Sequence, residues 1–329
     1  MSKRAARPWG YWTRAKLAIL NDYLPAFLQA ASGKSDEYVY LDAFAGEGRG
    51  VDRLTGEEFQ GSSRIALEAK ALRADARFTR LRYFEQESKA RELATRFEAE
   101  YPGRDINVYG GDCNVEIPKA LSDLHALRWA PTFAFIDPDG MEFEWRTLEA
   151  LAAHKRGYRS ASSSKREYKV ELWLLFPTQG IVRTLALDAA KVRPEDEARA
   201  TSLLGTEAWR AIYDRRVEGK LSAHDAKEEY VNLMRWRLSE DLGYQRTHAL
   251  ELTNTREGTL YHMVFATDND AGDKIMADIY AKRASQIPQM RQEARDRMLG
   301  QATLDLGATH DAEGATYHYE PPWKPPALP

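Results

Sequence analysis

A carboxylate directly precedes a glycine-rich turn near the start of the sequence, in YVYLDAFAGEGRG at residues 38–50. The apolar run before the turn predicts a buried strand that ends at Asp42. Gly46 and Gly48 would let the backbone pass close to a ligand, because glycine has no Cβ to collide with it. The amides of this turn, which contains Phe44, can bind a carboxylate, and Asp42 can accept from an ammonium or from the turn. The pattern suits the end of an amino acid, although a tight turn without a ligand would use the same residues.

Three further carboxylates follow apolar runs in the same way. Glu85 ends RLRYFE, Asp112 follows INVYGG, and Asp137 follows TFAFI. An acidic residue after the second strand of nucleotide-binding folds accepts from ribose hydroxyls, and we expect that role of Glu85, with Glu87 as the alternative. Asp112 is placed to accept from an adenine amino group, with Cys113 and Asn114 beside the ring.

The four acids together describe one ligand. The carboxyl ends of parallel strands meet at one edge of a sheet, where ligands of open α/β folds bind. Each acid alone could be a solvated loop carboxylate, but four in register describe an amino acid, a ribose and an adenine in a row. The carboxylate of Asp42 would not suit a phosphate group, and the lysine pattern of the Walker motif is absent. The sequence therefore predicts a site for S-adenosylmethionine (SAM).

The loop after the fourth of these strands, DPDG at residues 137–140, is the candidate for catalysis. It resembles the DPPY-type tetrad of amino methyltransferases, in which a carboxylate or amide and a proline carbonyl accept from an amine. Asp137 and the carbonyl of Pro138 could supply these acceptors, and Asp139 adds a second acid. Gly140 cannot provide the stacking ring of the tetrad, so base amino-methylation is not favoured.

Two aromatic residues and a metal ion are the alternatives left open at this loop. Phe143 or Trp145 could stack on a substrate base only if the loop folds back. The acids of the loop could hold Mg²⁺, although solvated loop carboxylates are the simpler interpretation. The seven histidines show no ligand spacing, and we expect no histidine or cysteine metal site.

Alternating apolar and helical patterns predict the elements that carry these residues. Strand–helix alternation with buried strands indicates a parallel sheet covered on both faces. Two late apolar runs joined by about five residues predict an antiparallel hairpin. The fold class expected is α/β, with the five parallel strands and C-terminal hairpin of a Rossmann-like class I methyltransferase. The predicted strands are residues 38–43, 80–85, 106–112, 132–137, 170–177, 247–254 and 259–268.

The predicted helices lie between these strands and in one insertion. Helical patterns precede the first strand and cover residues 61–74, 88–101 and 145–155, with a helical insertion at about 180–240. We expect a single domain over residues 1–306 and a proline-rich extended tail at 307–329. The serine-rich, basic segment 156–169 predicts a surface loop.

Composition limits the class of protein. The 329 residues carry 47 basic and 50 acidic side chains, a net charge of −3, which gives no overall field to attract nucleic acid. The single cysteine, Cys113, excludes disulfides within the chain and cysteine-rich zinc sites. No run is long enough to span a membrane. We expect a cytoplasmic protein without a membrane partner.

The N-terminal stretch KRAARPWGYWTRAK, residues 3–16, is the one basic and aromatic segment that could contact nucleic acid. Its rings and cations could stack on bases and pair with phosphates. A lid over the cofactor and a surface for docking a protein are the alternatives.

Several motifs resemble the three-Cys-motif partner protein family. They are YLDAFAGEGRG, GSS, GDCN, FIDPDG, LLFPTQGIVR and YHMVFATDNDAGDKIM, within about residues 16–280. The resemblance implies a class I SAM-dependent methyltransferase fold and a separate partner protein that carries the cysteines. It also implies that Asp42, Gly46 and Gly48 hold the methionine end and that Glu85 and Asp112 hold the nucleoside. Serine stands where the family motif GSP leads us to expect proline.

The function expected first is therefore a SAM-dependent methyltransferase, or another SAM-using transferase, that works with a cysteine-motif partner and whose substrate could be nucleic acid. Whether turnover occurs is left open, because a non-catalytic module that binds a nucleotide or the partner would need the same fold. A nuclease that holds a metal on Asp112, Asp137 and Asp139 is the least favoured, since it explains neither Glu85 nor the glycines.

Overall fold

Short apolar runs form the strands of the protein. A computed structural model describes residues 11–51, 56–155, 168–298 and 315–325. The strands in these ranges are β1 (Val39–Asp42), β2 (Arg49–Val51), β3 (Glu58–Gln60), β4 (Arg80–Glu85), β5 (Asp105–Gly110), β6 (Thr132–Ile136), β7 (Glu171–Phe176), β8 (Arg246–Thr253), β9 (Thr259–Thr267) and β10 (Tyr317–His318).

Eight of these strands form one mostly parallel sheet. Their order is β10-β8-β9-β7-β6-β1-β4-β5, and β2 and β3 form a separate antiparallel ribbon. Strands β5, β4, β1, β6 and β7 run parallel to one another, whereas β9 is antiparallel to both β7 and β8. The central strand β1 and strand β6 are buried along their whole length, as a parallel sheet covered on both faces requires.

Ten α-helices lie in the described part of the chain. They are α1 (Tyr11–Ala31), α2 (Ser62–Glu68), α3 (Glu87–Glu100), α4 (Cys113–Asp123), α5 (Trp145–Ala153), α6 (Thr178–Thr184), α7 (Pro194–Leu204), α8 (Trp209–Val217), α9 (Ala223–Glu240) and α10 (Asp270–Met298). Helices α6 to α9 occupy the region predicted to be helical after the fifth parallel strand. Pro25 lies inside α1, which continues through it as one helix.

The helices divide between the two faces of the sheet. Alternate strand residues such as Tyr40, Phe133 and Trp173 pack with α1, α2, α3 and α10, and we call this side the α1 face. The intervening residues, such as Leu41 and Leu174, pack with α4 to α9, and we call this side the insertion face. The α/β class predicted from the sequence is confirmed at this level.

The number of strands differs from the prediction of five parallel strands and a hairpin. The tail adds β10 to the edge strand β8, with Tyr317 opposite Leu250 and His318 opposite Ala249. The ribbon of β2 and β3 and the long helix α10 are also absent from the prediction. The predicted helix at 61–74 ends at Glu68, because the backbone is extended at Ala69.

The described part of the tail is bound to the helical insertion. Asn232 of α9 donates to the carbonyl of Trp323 over 2.8 Å and accepts from its amide over 3.0 Å. Arg235 of the same helix donates to the carbonyl of Glu320 over 2.5 Å. Most of the predicted surface loop 156–169 lies outside the described residues, and its last residue, Lys169, donates to Asp268.

Two glycines that follow helices both have a left-handed backbone conformation, but their surroundings differ. Gly205, at the end of α7, has φ 62°, and a Cβ there would lie 2.2 Å from Cγ of Trp145. The guanidinium of Arg237 stacks on the same ring at 3.9 Å from its centre. Gly219, after α8, has φ 74°, but a Cβ there would meet no atom within 4 Å.

We expect Gly205→Ala to destabilise the protein more than Gly219→Ala, as measured by urea unfolding. A left-handed alanine costs roughly 1–2 kcal/mol in either position. Gly205→Ala should lose a further 1–3 kcal/mol or so, because the methyl group overpacks against Trp145. Equal losses in the two variants would contradict this packing argument.

Candidate functional site

The four predicted acids follow four neighbouring parallel strands. In spatial order the strands are β6, β1, β4 and β5, and they lead to Asp137, Asp42, Glu85 and Asp112. Neighbouring strands lie about 4.8 Å apart, so the four strand ends form one row along the edge of the sheet. The structure therefore brings together the positions that the sequence analysis selected.

Asp42 is fully buried and serves the turn that follows it. Its carboxyl lies 3.3 Å from both the amide of Phe44, which donates to it, and the hydroxyl of Tyr40. Burial raises the pKa of Asp42 to about 7, against the opposing effect of hydrogen bonds from Ser62 and Phe44, while the charge of Asp137 raises it further. Of the two roles that the sequence left open, contact with the turn is the one present here.

The glycines of the turn have different environments. Gly46 has φ 60°, and a Cβ there would meet no protein atom within 4 Å. Gly48 has φ 73°, but a Cβ there would lie 3.1 Å from Cζ of Phe97 on α3. Gly46 therefore leaves open space beside the backbone, whereas the absence of a side chain at Gly48 is explained by the packing of α3 against the turn.

Glu85 links the glycine turn to the start of α3. Its Oε2 accepts from the amide of Gly46 and its Oε1 accepts from the amide of Gln86, both over 2.8 Å. The side chain is partly exposed. A carboxylate offers about four acceptor positions, so two remain for hydroxyl groups of a ligand.

Ser63 supports the turn from the other side. Its hydroxyl donates to the carbonyl of Ala45 over 3.0 Å, and its own carbonyl accepts from the hydroxyl of Tyr83 over 2.7 Å. Serine in place of the proline of the family motif thus gains a hydrogen bond to the turn.

Asp112 is the N-cap of α4. Its Oδ1 accepts from the amide of Asn114 over 2.9 Å and from the side-chain amide of the same residue over 3.0 Å. The residue is exposed, so its second oxygen can reach a ligand. Cys113 is buried, and burial raises the pKa of its thiol to about 12, with Asp112 as the next cause.

Asn114, which the sequence analysis placed beside the adenine ring, also has a structural role that the sequence analysis did not predict. Its side chain donates to the carbonyl of Glu142 over 2.8 Å and accepts from the amide of Glu144 over 3.0 Å and the hydroxyl of Thr147 over 2.8 Å. It therefore attaches the DPDG loop to α4 and α5. The GDCN motif was the available signal, since asparagine is one of the few buried polar residues there.

Lys16 is the partner of Asp137, and the sequence analysis did not predict this pairing. The ammonium forms an ion pair with Oδ2 of Asp137, and the two side chains are only 9% and 17% exposed. Lys16 lies on the buried side of α1 with Ile19, Leu20 and Tyr23. A lysine within this apolar stripe was a signal for a buried acidic partner, but the sequence analysis treated it as part of the basic N-terminal segment.

The rest of that N-terminal segment contributes little free surface in the described range. The hydroxyl of Tyr11 donates to the carbonyl of Thr253 over 2.6 Å, and Arg14 pairs with Glu57. The earlier cations and Trp9 lie outside the described residues.

The loop after β6 folds onto the protein. Pro138 is buried, whereas Asp139 is exposed and its amide donates to the carboxylate of Glu142 over 2.8 Å. Phe143 is fully buried and contacts Phe44 edge-on at 6.2 Å between ring centres, and Trp145 is 3% exposed. Neither ring is free to stack on an entering base in this conformation.

One hollow and one ligand-rich group among the described residues lie away from the four acids. A hollow of about 230 Å³ borders α1 and β3, and no predicted site residue lines it. One group of histidine and acidic side chains is close enough to share a metal ion, and it consists of Glu228, His262 and His318. Asp112, Asp137 and Asp139 do not form such a group.

Comparison with known proteins gives matches to solved structures alone. No protein-family model and no curated protein matches the chain. A crystal structure of protein LPL1258 from Legionella pneumophila str. Philadelphia 1, described under the family model DUF519, is similar at 11% identity and a TM-score of 0.47. The likeness covers 93% of this chain and 97% of that protein. Among the described helices, none has the length and apolar character to cross a membrane.

The buried carboxyl of Asp42 should make stability depend on pH. Its folded-state pKa of about 7 lies above its ordinary value, so folding takes up a proton between about pH 4 and pH 7. The free energy of unfolding should therefore fall as pH rises through this window, by about 1.4 kcal/mol per pH unit for each such group. Glu171, whose pKa burial also raises to about 7, should add to the fall.

Urea unfolding across this pH range tests the assignment. Asp42→Asn should reduce the slope of stability against pH, because the titrating carboxyl is removed. Glu87→Gln, which changes an exposed carboxylate on the surface of α3, is the matched control and should leave the slope unchanged. An Asp42→Asn curve parallel to that of the wild type would show that folding does not raise the pKa of Asp42.

Proposed function

We propose that this protein binds SAM along the edge where β6, β1, β4 and β5 end, and that it is a SAM-dependent methyltransferase. The observation that carries the proposal is the row of Asp137, Asp42, Glu85 and Asp112 after four neighbouring parallel strands. Five parallel strands followed by an antiparallel hairpin also match the plan of Rossmann-like class I methyltransferases. The motifs that resemble the three-Cys-motif partner family support the same assignment.

The residues at this edge fit the parts of SAM. Gly46 leaves room beside its backbone, where a Cβ would project. Glu85 holds the turn through the Gly46 amide and keeps two acceptor positions for ribose hydroxyls. One oxygen of Asp112 is committed to capping α4, and the other is left for an adenine amino group. Asp42 shapes the turn from beneath, and Cys113 and Phe44 lie beside it within the core.

Methyl transfer requires mainly that an unprotonated nucleophile is held in line with the sulfonium methyl that SAM supplies. Asp137 is the side chain placed to accept a hydrogen bond from such a nucleophile, together with the carbonyl of Pro138. Lys16 holds one oxygen of Asp137 and leaves the other for this contact. Asp139 is exposed on the same loop and faces solvent from which a substrate arrives.

The proposed partner is a separate protein with a cysteine motif, as the resemblance implies. The single cysteine of this chain is buried at the start of α4 and is not available to such a motif. Nucleic acid is the substrate class that the basic N-terminal segment suggests.

A non-catalytic module that binds SAM or a nucleotide is the second candidate. It is favoured by the burial of Phe143 and Trp145 and by the pairing of Asp137 with Lys16, which together leave no ring and few free acceptors beside the loop. The nuclease hypothesis gains no such support, because its three carboxylates are not close enough to share an ion.

Calorimetric titration of the full chain with SAM tests ligand binding. We expect Glu85→Ala to weaken SAM binding by roughly 1–3 kcal/mol, because hydroxyls of the ligand would lose their acceptor. Glu87→Ala removes an exposed carboxylate two residues further along the chain and should bind SAM as the wild type does. Wild-type protein that binds ATP as well as SAM would favour a general nucleotide site, and wild-type protein that binds no SAM would refute the proposal.

Transfer of a labelled methyl group from SAM to nucleic acid or protein of a cell extract separates the enzyme from the binding module. We expect Asp137→Ala to retain SAM affinity and to lose transfer, because Asp137 contacts the substrate and not the cofactor. Asp123→Ala, which removes an exposed acid at the far end of α4, is the control and should remain active. An active Asp137→Ala variant would remove Asp137 from the mechanism, and SAM binding without any transfer would favour the module.

A further inference from the structure

A second cluster of chemical groups lies on the insertion face, away from the row of acids. It joins Glu228 of α9, His262 of β9 and His318 of β10, whose nearest ligand atoms all lie within 4.8 Å of one another. His262 points to the same side of the sheet as Val264 and Ala266, and that side is covered by the helical insertion. The cluster therefore forms where the tail, the hairpin and the insertion meet.

The three side chains face each other without completing hydrogen bonds. Nε2 of His262 is 3.4 Å from Oε1 of Glu228, and Nε2 of His318 is 2.9 Å from Oε2. The alignment of a hydrogen bond is lacking, so both Nε2 atoms and Oε1 are buried without a hydrogen-bond partner among the described residues. His262 is fully buried, and leaving such a polar atom unpaired is unfavourable.

His248 is a buried histidine with a purely structural role and serves as a comparison. Its Nε2 lies 2.7 Å from Oδ1 of Asp273 and its Nδ1 lies 2.8 Å from the hydroxyl of Tyr317. Both ring nitrogens thus have partners. In His262 only Nδ1 is occupied, by the hydroxyl of Thr178 at 3.2 Å, which leaves Nε2 directed at Glu228 and His318.

We propose that Glu228, His262 and His318 bind a divalent transition-metal ion, with Zn²⁺ as the best match. Two imidazoles and one carboxylate are a zinc ligand set, and ligand atoms about 2.0–2.1 Å from a tetrahedral ion lie about 3.4 Å apart. The separations, all within 4.8 Å, differ from this spacing by at most about 1.4 Å. Imidazole ligands disfavour Mg²⁺ and Ca²⁺, which take oxygen donors.

The surroundings suit a bound cation. Thr178 fixes the orientation of His262 in the manner of an outer-shell partner. The side chains of Glu228 and His318 are 18% and 16% exposed, so the cluster lies close to the protein surface.

The site would connect the tail to the rest of the protein. His318 is the only one of the three ligands outside the sheet core and the insertion, and β10 is a strand of two residues. A metal ion would therefore hold residues 315–325 against β8 and α9 in addition to the hydrogen bonds from Asn232 and Arg235. This role is independent of SAM binding, because the row of acids begins on the α1 face of the sheet.

Titration of chelator-treated, tag-free full-length protein with ZnCl₂ tests the proposal. Calorimetry and elemental analysis should find one tightly bound Zn²⁺ per chain. Outer-shell substitutions typically weaken metal binding 10–100-fold, so Thr178→Val should fall in about that range and loss of a ligand in Glu228→Gln or His318→Ala should exceed it. The Co²⁺-loaded protein should show the visible absorption of a tetrahedral or five-coordinate site.

Neighbouring residues of the same helix supply the controls. His224→Ala removes an exposed histidine one turn before Glu228, and Glu229→Gln neutralises the adjacent acid, so both should bind Zn²⁺ as the wild type does. Hydrogen exchange in residues 315–325 should slow with Zn²⁺ in the wild type but not in His318→Ala. Absence of Zn²⁺ binding, or binding that survives both Glu228→Gln and His318→Ala, would overturn the proposal. SAM affinity should be unchanged in these variants, so a failure of the zinc proposal can be distinguished from a failure of the SAM proposal.

Discussion

The burial of acidic groups at the end of the central strands is the constraint on which the rest of the structure depends. Asp42 is fully buried after β1, and Asp137 follows the adjacent strand β6. Removing carboxyl groups from water is unfavourable unless they gain hydrogen bonds or an opposite charge. The turn and Tyr40 supply the hydrogen bonds, and Lys16 supplies the charge. Helix α1, which precedes the whole sheet in the chain, is therefore tied to the edge where the candidate ligand site lies.

The two faces of the sheet carry different chemistry at neighbouring strands. On the α1 face the strand ends present carboxylates and one lysine, which suit a ligand with an ammonium and hydroxyl groups. On the insertion face, β9 presents His262, opposite Phe176 at the end of β7, to an acid of α9 and a histidine of the tail. Within the helical insertion, α9 contributes Glu228 to this second group, and α6 contributes Thr178.

The sequence predicted the features that depend on local pattern. Apolar runs located every strand of the parallel core to within about two residues, and the spacing of Asp42, Glu85, Asp112 and Asp137 placed them correctly at one edge. Features that depend on distant partners were missed. Strand β10 was missed because it has only two residues and no periodicity. The helix predicted at 61–74 stops at Glu68, although its residues favour a helix, because tertiary context overrides propensity. Likewise, no spacing rule could join His262 to His318, because their proximity depends on the path of the tail.

In the glycine-rich turn, the motif alone assigns more glycines to the ligand site than the structure supports. The sequence assigned Gly46 and Gly48 the same function, yet only Gly46 borders open space, whereas a Cβ at Gly48 would contact α3. Gly50 is likewise required by packing, because a Cβ there would lie 2.3 Å from the ring of Phe59 in the ribbon. The three glycines thus reflect two close approaches, at Gly48 and Gly50, and one open position, at Gly46 beside the candidate site. The acceptor positions left on Glu85 and Asp112 therefore carry more weight in defining the ligand than the number of glycines does.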